Sequence, residues 1–351
     1  MSTENEYTPE APTARQAVAF DVTPFKADGG FRMGDAMQMI GALGIVGILL
    51  GIITHYVSKL FYFILLFPLG IGVLVGLWGN WCITRFKIRS PLIGGVSGLV
   101  AGCLAMTAMH YWDYREFESN FTDNPQLAAV REMVQQAAQA DPVLKENSPE
   151  FREFANQFDP EILQALLVDS FPSYVDMAAK RGVEINSNRG GGKGSNLGYT
   201  GTYIYWGVEM LIVAGIAFAM MSSTAGQPFC VDCNLWKTPE VYGPIKDPAH
   251  VTEMIQAGRI EPVESGDLSV APGAFVTLSV CGECLPEEIA PDPRVVGPGA
   301  EPISFEIFVE RGALNGKGEL TKSMLSRTTY PITALPVIRE ALQAIHSVSP
   351  S

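Results

Sequence analysis

The chain reads as a multi-pass α-helical membrane protein with four transmembrane helices and a C-terminal α+β, β-rich, metal-stabilised domain. Three observations predict this. Hydrophobic residues make up 47% of the 351 residues and charged residues only 17%, and the mean hydropathy is +0.17. The apolar residues concentrate in four runs of about 20, the length that carries a helix across ~30 Å of hydrocarbon. The last third holds two C-x-x-C pairs, Cys230/Cys233 and Cys281/Cys284, in a stretch rich in Pro, Gly and β-forming residues.

Residues 1–35 precede the first run. They are polar, rich in Pro, Thr, Glu and Gly, and lack the basic start and short apolar core of a signal peptide, so a disordered tail is expected. The apolar runs 37–57, 60–84 and 91–112 then predict three spans within residues 36–112, with Pro68 as a break in the second. Aromatics such as Trp78, Trp81, Tyr111, Trp112, Tyr203 and Trp206 fall near the run ends, as suits a membrane–water interface. Gly47/Gly51, Gly72/Gly76 and Gly94/Gly98/Gly102 are four apart. Small residues so spaced let a second helix backbone approach closely, either inside the bundle or between two copies of the chain.

The connection from Arg85 to Arg89 has three positive charges and no acid, which places it in the cytoplasm. Lys26 and Arg32 agree with that orientation and Lys59 opposes it. Both termini are then cytoplasmic, residues 113–199 extracytoplasmic and residues 223–351 cytosolic, with a plasma membrane as the expected location.

Residues 113–185 carry apolar stripes at helical spacing, one through Leu127, Val130 and Val134 and another through Ile162, Leu163, Leu166 and Leu167. Ser148-Pro149-Glu150 is a helix-start signal between them. A helical cap is expected, joined by a Gly-rich linker (186–198) to the fourth span at 200–222. The linker's Gly-Lys-Gly-Ser does not make a phosphate loop: Lys193 is followed by Gly194, and no strand precedes it. In the last segment, 273–280 and 303–310 read as strands, 314–318 as a tight turn, and 249–257 and 334–346 as helices.

Residues 113–199 carry eight basic and fourteen acidic groups, and residues 223–351 nine and sixteen, within a total of −13. Two acidic water-facing parts argue against nucleic acid as a partner, which would need a basic surface. Lipid and other protein subunits are the expected partners, with homo-oligomer contacts through the glycine faces as an option.

Two thiolates two residues apart in a tight turn can hold one tetrahedral metal, and two such turns complete four ligands. Cys230, Cys233, Cys281 and Cys284 resemble a zinc-ribbon site over these short stretches, which implies a zinc-ribbon-like domain around one structural zinc. Residues 234–280, the 47 between the pairs, exceed the common spacing, so the insert must fold with the site. Iron in the same cage is an alternative, and Asn234 and Leu285 stand where the glycine of such iron sites is usual. Thiol exchange is another, although Cys230 does not open a helix as a thioredoxin-like pair would. His250 could replace one cysteine. Cys82 and Cys103 sit in apolar runs and read as small hydrophobes.

Glu209 lies inside the fourth run. An acid in that place costs on the order of 2.5–3.5 kcal/mol to insert, so a partner, a proton or water must compensate. His55 and His110 fall at the same expected depth, and a relay with Glu209 is conceivable. No Ser-His-Asp set, paired-carboxylate site, H-E-x-x-H or dinucleotide fingerprint is present, so an enzyme is not indicated. The expected role is a membrane scaffold or accessory protein that binds a partner through its metal domain. Transport of a small solute or proton at Glu209 and membrane thiol-redox chemistry are the alternatives.

Overall fold

The computed structural model describes residues 18–60, 66–140, 164–185, 195–284, 303–342 and 345. It divides into two units, Gly29–Gly226 and a second formed by Met1–Asp28 with Gln227–Ser351.

The first unit is helical. Its elements are α1 (Met33–Ser58), α2 (Leu66–Phe86), α3 (Pro91–Thr122), α4 (Pro125–Ala140), α5 (Phe171–Arg181) and α6 (Gly198–Ala225). Of these, α1, α2, α3 and α6 are long and apolar enough to cross a membrane. Ser90 starts α3 by accepting from the Ile93 N–H, with Pro91 in the first turn where its missing N–H does no harm. The helix runs 32 residues, about 48 Å at 1.5 Å per residue. It therefore continues well past Trp112, where hydropathy alone ends the span, because a change of solvent does not interrupt an unbroken i→i+4 ladder.

The glycines mark the helix seams. A Cβ on Gly47 would lie 2.7 Å from the Ala101 carbonyl oxygen of α3, and one on Gly98 2.7 Å from that of Ala217 on α6. Gly72 meets Val213 and Gly102 meets Ala214 on α6 in the same way. Without side chains at these points, the backbones close to contact distance, and Val213, Ala217 and Met221 are fully buried. The glycine faces singled out from the sequence are thus filled by helices of the same chain.

Helix α4 covers the first expected stripe of the cap. Arg131 and Gln135 on it donate to the Val168 carbonyl, at 2.6 and 3.0 Å. Helix α5, which the sequence reading did not single out, opens with Ser170 and Ser173 in a reciprocal capping box and Pro172 in its first turn. It packs Phe171, Tyr174 and Met177 against Tyr114 and Phe117 of α3. The expected helix start at Ser148 and the stripe residues Ile162 and Leu163 lie outside the described residues. So do residues 186–194 of the linker, whose two ends pair as short strands β3 (Glu184–Ile185) and β4 (Ser195–Asn196); these are preceded in the chain by β1 (Val18–Ala19) and β2 (Thr23–Pro24).

The second unit is built on a sheet. After the short hairpin β5 (Phe229–Cys230) and β6 (Leu235–Trp236) come β7 (Thr238–Ile245), α7 (Pro248–Gln256) and β8 (Arg259–Ile260). They are followed by β9 (Gly273–Val280), β10 (Ser304–Leu314), β11 (Leu320–Pro331) and α8 (Leu335–Leu342). The strand order β2-β11-β10-β9-β7 is antiparallel throughout. Helices α7 and α8 bury Val251, Met254, Ile338 and Leu342 with Val276, Leu278, Phe305 and Ile307 of the sheet. The Tyr330 hydroxyl donates to the Ile255 carbonyl within this core, at 2.6 Å.

Two differences from the sequence reading bear on the site. Strand β7 carries Pro239 and Pro244 and was not anticipated; it is tolerated as an edge strand, where one side of the backbone needs no ladder partner. Residues 18–35 are not a tail. Strand β2 pairs with β11 (Thr23 with Thr329, Pro24 with Thr328), and β1 pairs with β8. Two-residue strands have no local pattern to read, and their order comes from the sheet that receives them.

Candidate metal centre

Register brings the two cysteine pairs together. The hairpin β5–β6 pairs Phe229 with Trp236 and Cys230 with Leu235, so Cys230 and Cys233 flank its turn. Two residues on from Trp236, Thr238 begins β7 and pairs with Val280, the last residue of β9. Cys281 follows at once, and a single 3-10 turn, Gly282–Cys284, presents the second pair. One strand pairing therefore closes the 47-residue separation between the pairs.

The four sulfurs lie within 4.8 Å of one another. Cys284 Sγ is 3.4 Å from Cys230 Sγ and 3.1 Å from Cys233 Sγ. A tetrahedral metal with bonds of ~2.3 Å to sulfur sets its ligands about 3.8 Å apart, so the group fits a metal ion with small adjustment. None of the four is in a disulfide. Cys230 and Cys281 are buried, and the other two are partly exposed. Burial opposes ionisation of Cys281, but the backbone N–H groups of Cys284 and Glu283 and the neighbouring thiols outweigh it and hold this thiol below its ordinary range. Burial pushes the Cys284 thiol up, and its contacts with the sulfurs of Cys233, Cys230 and Cys281 push it further. Four crowded sulfurs ionise together only beside a cation, the service a bound metal supplies.

Asn234, just after the first pair, has φ +55°. This left-handed conformation is the one glycine usually provides, and asparagine tolerates it better than most residues. The absence of glycine there consequently does not discriminate against iron. Leu285 lies outside the described residues. His250 is not part of the sulfur group: it is exposed in the first turn of α7, with Nε2 3.8 Å from Glu261.

An ion pair that the sequence reading missed sits at the same end of the sheet. Lys237 Nζ donates to Glu306 Oε1 at 2.8 Å and to the Ser304 carbonyl at 2.7 Å, and the two charged side chains are only 5% and 7% exposed. Glu306 pairs with Ser279, two residues before Cys281, and Lys237 follows the first hairpin directly. Burial pushes the Glu306 carboxyl above its ordinary range, and the Lys237 ammonium pulls it back only in part.

In the helical unit, Glu209 is 3% exposed and accepts from the Tyr205 hydroxyl at 2.5 Å, one turn earlier on α6. His55 and His110 come together, but the carboxylate joining them is Asp113. His55 Nδ1 lies 2.5 Å from Asp113 Oδ1, and His110 Nδ1 lies 3.6 Å from Oδ2. His110 also packs against Trp206, three residues before Glu209. Asp113 and Glu116 were missed because they lie beyond the expected end of the third span. The available signal was His110, Asp113 and Glu116 at i, i+3 and i+6, one face of a helix.

No protein-family model, curated protein or solved structure matches this chain.

Proposed function

We propose that the chain is an integral membrane scaffold or accessory protein whose cytosolic domain folds around one structural zinc and binds a protein partner. The observation that carries this reading is the closed group of four cysteine sulfurs. A metal held by all four has no open position for substrate, and zinc is the ion that such tetrahedral thiolate sites most often hold. Partner binding is supported by the edge of the sheet. Residues 320–324 and 326 of β11 pair with β10 on one side and with no strand on the other among the described residues, and Met324 and the bulge residue Leu325 are exposed there. Such an edge can receive an extended segment of another protein.

The pairing of β2 with β11 supports an even number of crossings, since the segment before α1 and the domain after α6 must share one side. The positive charges of Arg85, Lys87 and Arg89 support the cytoplasm as that side, and a plasma membrane is the location we propose. The cap that contains α4 and α5 is then extracytoplasmic.

The test is metal content against free-thiol count on the purified full-length protein, because a fragment starting at residue 223 would lack β1 and β2. About one zinc per chain is expected, with four thiols unreactive until a chelator is added. Metal-free protein whose cysteines oxidise reversibly in pairs would replace this reading with membrane thiol-redox chemistry, and bound iron would make it an electron carrier. A second reading, transport of a proton or small solute, draws support from the burial of Glu209 within α6. It predicts that Glu209→Gln abolishes flux in proteoliposomes while the protein stays folded, and the scaffold reading predicts no flux in either form.

A further inference from the structure

His55, in the last turn of α1, is 1% exposed and has a carboxylate at each ring nitrogen. Nδ1 is 2.5 Å from Asp113 Oδ1, and Nε2 is 3.2 Å from Glu116 Oε2. An ionised carboxylate only accepts hydrogen bonds, so both contacts are satisfied together only when both nitrogens carry hydrogen. That species is the imidazolium. A neutral ring would serve one acid and turn a lone pair toward the other. The surroundings extend the alternation of charge. Asp113 also faces His110, and Glu116 also accepts from Lys59 at 2.5 Å. The chain of groups runs His110, Asp113, His55, Glu116, Lys59.

The groups around this ring come from several elements. Helix α1 adds Tyr56, whose ring packs edge-on against His55, and Lys59 caps the helix's C-terminal end. Helix α3 adds His110, Asp113, Arg115 and Glu116. From α5, Tyr174 stands close enough to Asp113 and Glu116 for both to act on its phenol. Helix α6 brings Trp206 to His110 and, one turn on, Glu209. Helix α2 has no ionisable side chain between Leu66 and Trp81. A cavity of about 370 Å³ opens on His55, Lys59, Arg115 and Glu116. His55 itself is buried but Glu116 is 45% exposed, so the His55–Glu116 contact has a path to water there.

We propose that His55, Asp113 and Glu116 form a proton-binding site that locks α1 to α3. His55 holds the proton, the two carboxylates fix it in place, and the cavity is its route to solvent. On release, the Nε2 proton passes to water in the cavity. Nδ1 keeps its hydrogen on Asp113, Glu116 keeps Lys59, and the group becomes one unit more negative; no electron moves. Of these charged ties across the seam between α1 and α3, Lys59–Glu116 remains, His55–Asp113 becomes a neutral hydrogen bond and His55–Glu116 is lost. This site is independent of the metal centre and does not require transport at Glu209.

The experiment uses full-length protein in nanodiscs with ¹⁵N-labelled histidine, read by nitrogen NMR from about pH 5 to about pH 9, the range in which histidine changes charge. His55→Gln and His110→Gln identify the signals. The expected result is a His55 ring with two protonated nitrogens at the acid end and a single protonated Nδ1 at the alkaline end. The unfolding temperature falls across the same interval. Asp113→Asn and Glu116→Gln deplete the doubly protonated form relative to wild type at the same pH, and Glu209→Gln leaves it in place. A His55 ring with one hydrogen at every pH would overturn the proposal. So would a His55→Gln protein whose unfolding temperature follows pH as the wild type's does. Should His55→Gln not fold, the wild-type spectra, with the His110, His250 and His346 signals each removed by its own His→Gln variant, decide the matter alone.

Discussion

Replacing Lys237 by Met tests whether the ion pair next to the cysteine group holds the end of the sheet together. In the wild type, Lys237 satisfies Glu306 Oε1 and the Ser304 carbonyl, and Glu306 Oε2 has no partner in the structure. The substitution keeps the volume of the stem and removes the ammonium. It leaves a buried carboxylate with neither oxygen bonded by a side chain and a carbonyl that has lost its donor. Breaking one half of a buried pair costs about 3–5 kcal/mol. The sign with pH follows from Glu306, whose carboxyl already lies above its ordinary range through burial, against the pull of Lys237. Without Lys237 it rises further, so the folded form binds a proton more tightly than the unfolded form. The penalty is then fully present above the raised folded value and fades as pH falls toward the ordinary glutamate range. Hydrogen–deuterium exchange of β9 and β10 peptides in the full-length protein reads this out. At about 1.4 kcal/mol per tenfold, exchange should rise by roughly two to three and a half orders of magnitude at neutral pH, and by less at pH ~5. The double variant Lys237→Met with Glu306→Leu should recover most of the loss, since an apolar pair can replace a buried ionic one. A rise below about tenfold at neutral pH, or one of equal size at both pH values, would refute the reasoning.

On the proposed metal reading, Cys281→Ser should lower metal binding and destabilise the C-terminal unit, seen as less bound metal together with faster exchange throughout β9, because the three remaining cysteines leave a four-coordinate ion one ligand short. Gly98→Val should cost about 1–3 kcal/mol in detergent unfolding, since its Cβ would meet the Ala217 carbonyl. Gly215→Ala on the facing helix, with nothing within 4 Å of the added carbon, should be tolerated in the same assay. Removing residues 1–24 should speed exchange at Thr329, whose N–H faces β2, while leaving Thr328, which faces β10, and the paired core of β9 and β10 protected. Protection unchanged at Thr329 would mean that β2 contributes nothing to the sheet.

By itself, the sequence determined the features that depend on near neighbours. A helix long enough to span a membrane is a property of some twenty consecutive side chains, so the four helices of that length and apolarity could be read directly, as could the strand at Gly273–Val280 and the helix around 249–257. The four cysteines were legible because paired thiols at this spacing have few other uses. What tertiary structure alone decided is whatever depends on register between distant segments. The pairing of Thr238 with Val280 assembles the sulfur group, and no local pattern in a strand with two prolines announces it. Strands β1 and β2 are too short to carry a period, and they exist because β8 and β11 offer backbone groups to pair with. The spacing of the glycines marked close helix contacts, but which helix fills each groove follows from how the four pack. His55 and His110 were visible as histidines near run ends. Their meeting at Asp113 required α3 to continue beyond the apolar run, because a helix ends where its hydrogen-bond ladder is broken and not where its surroundings change.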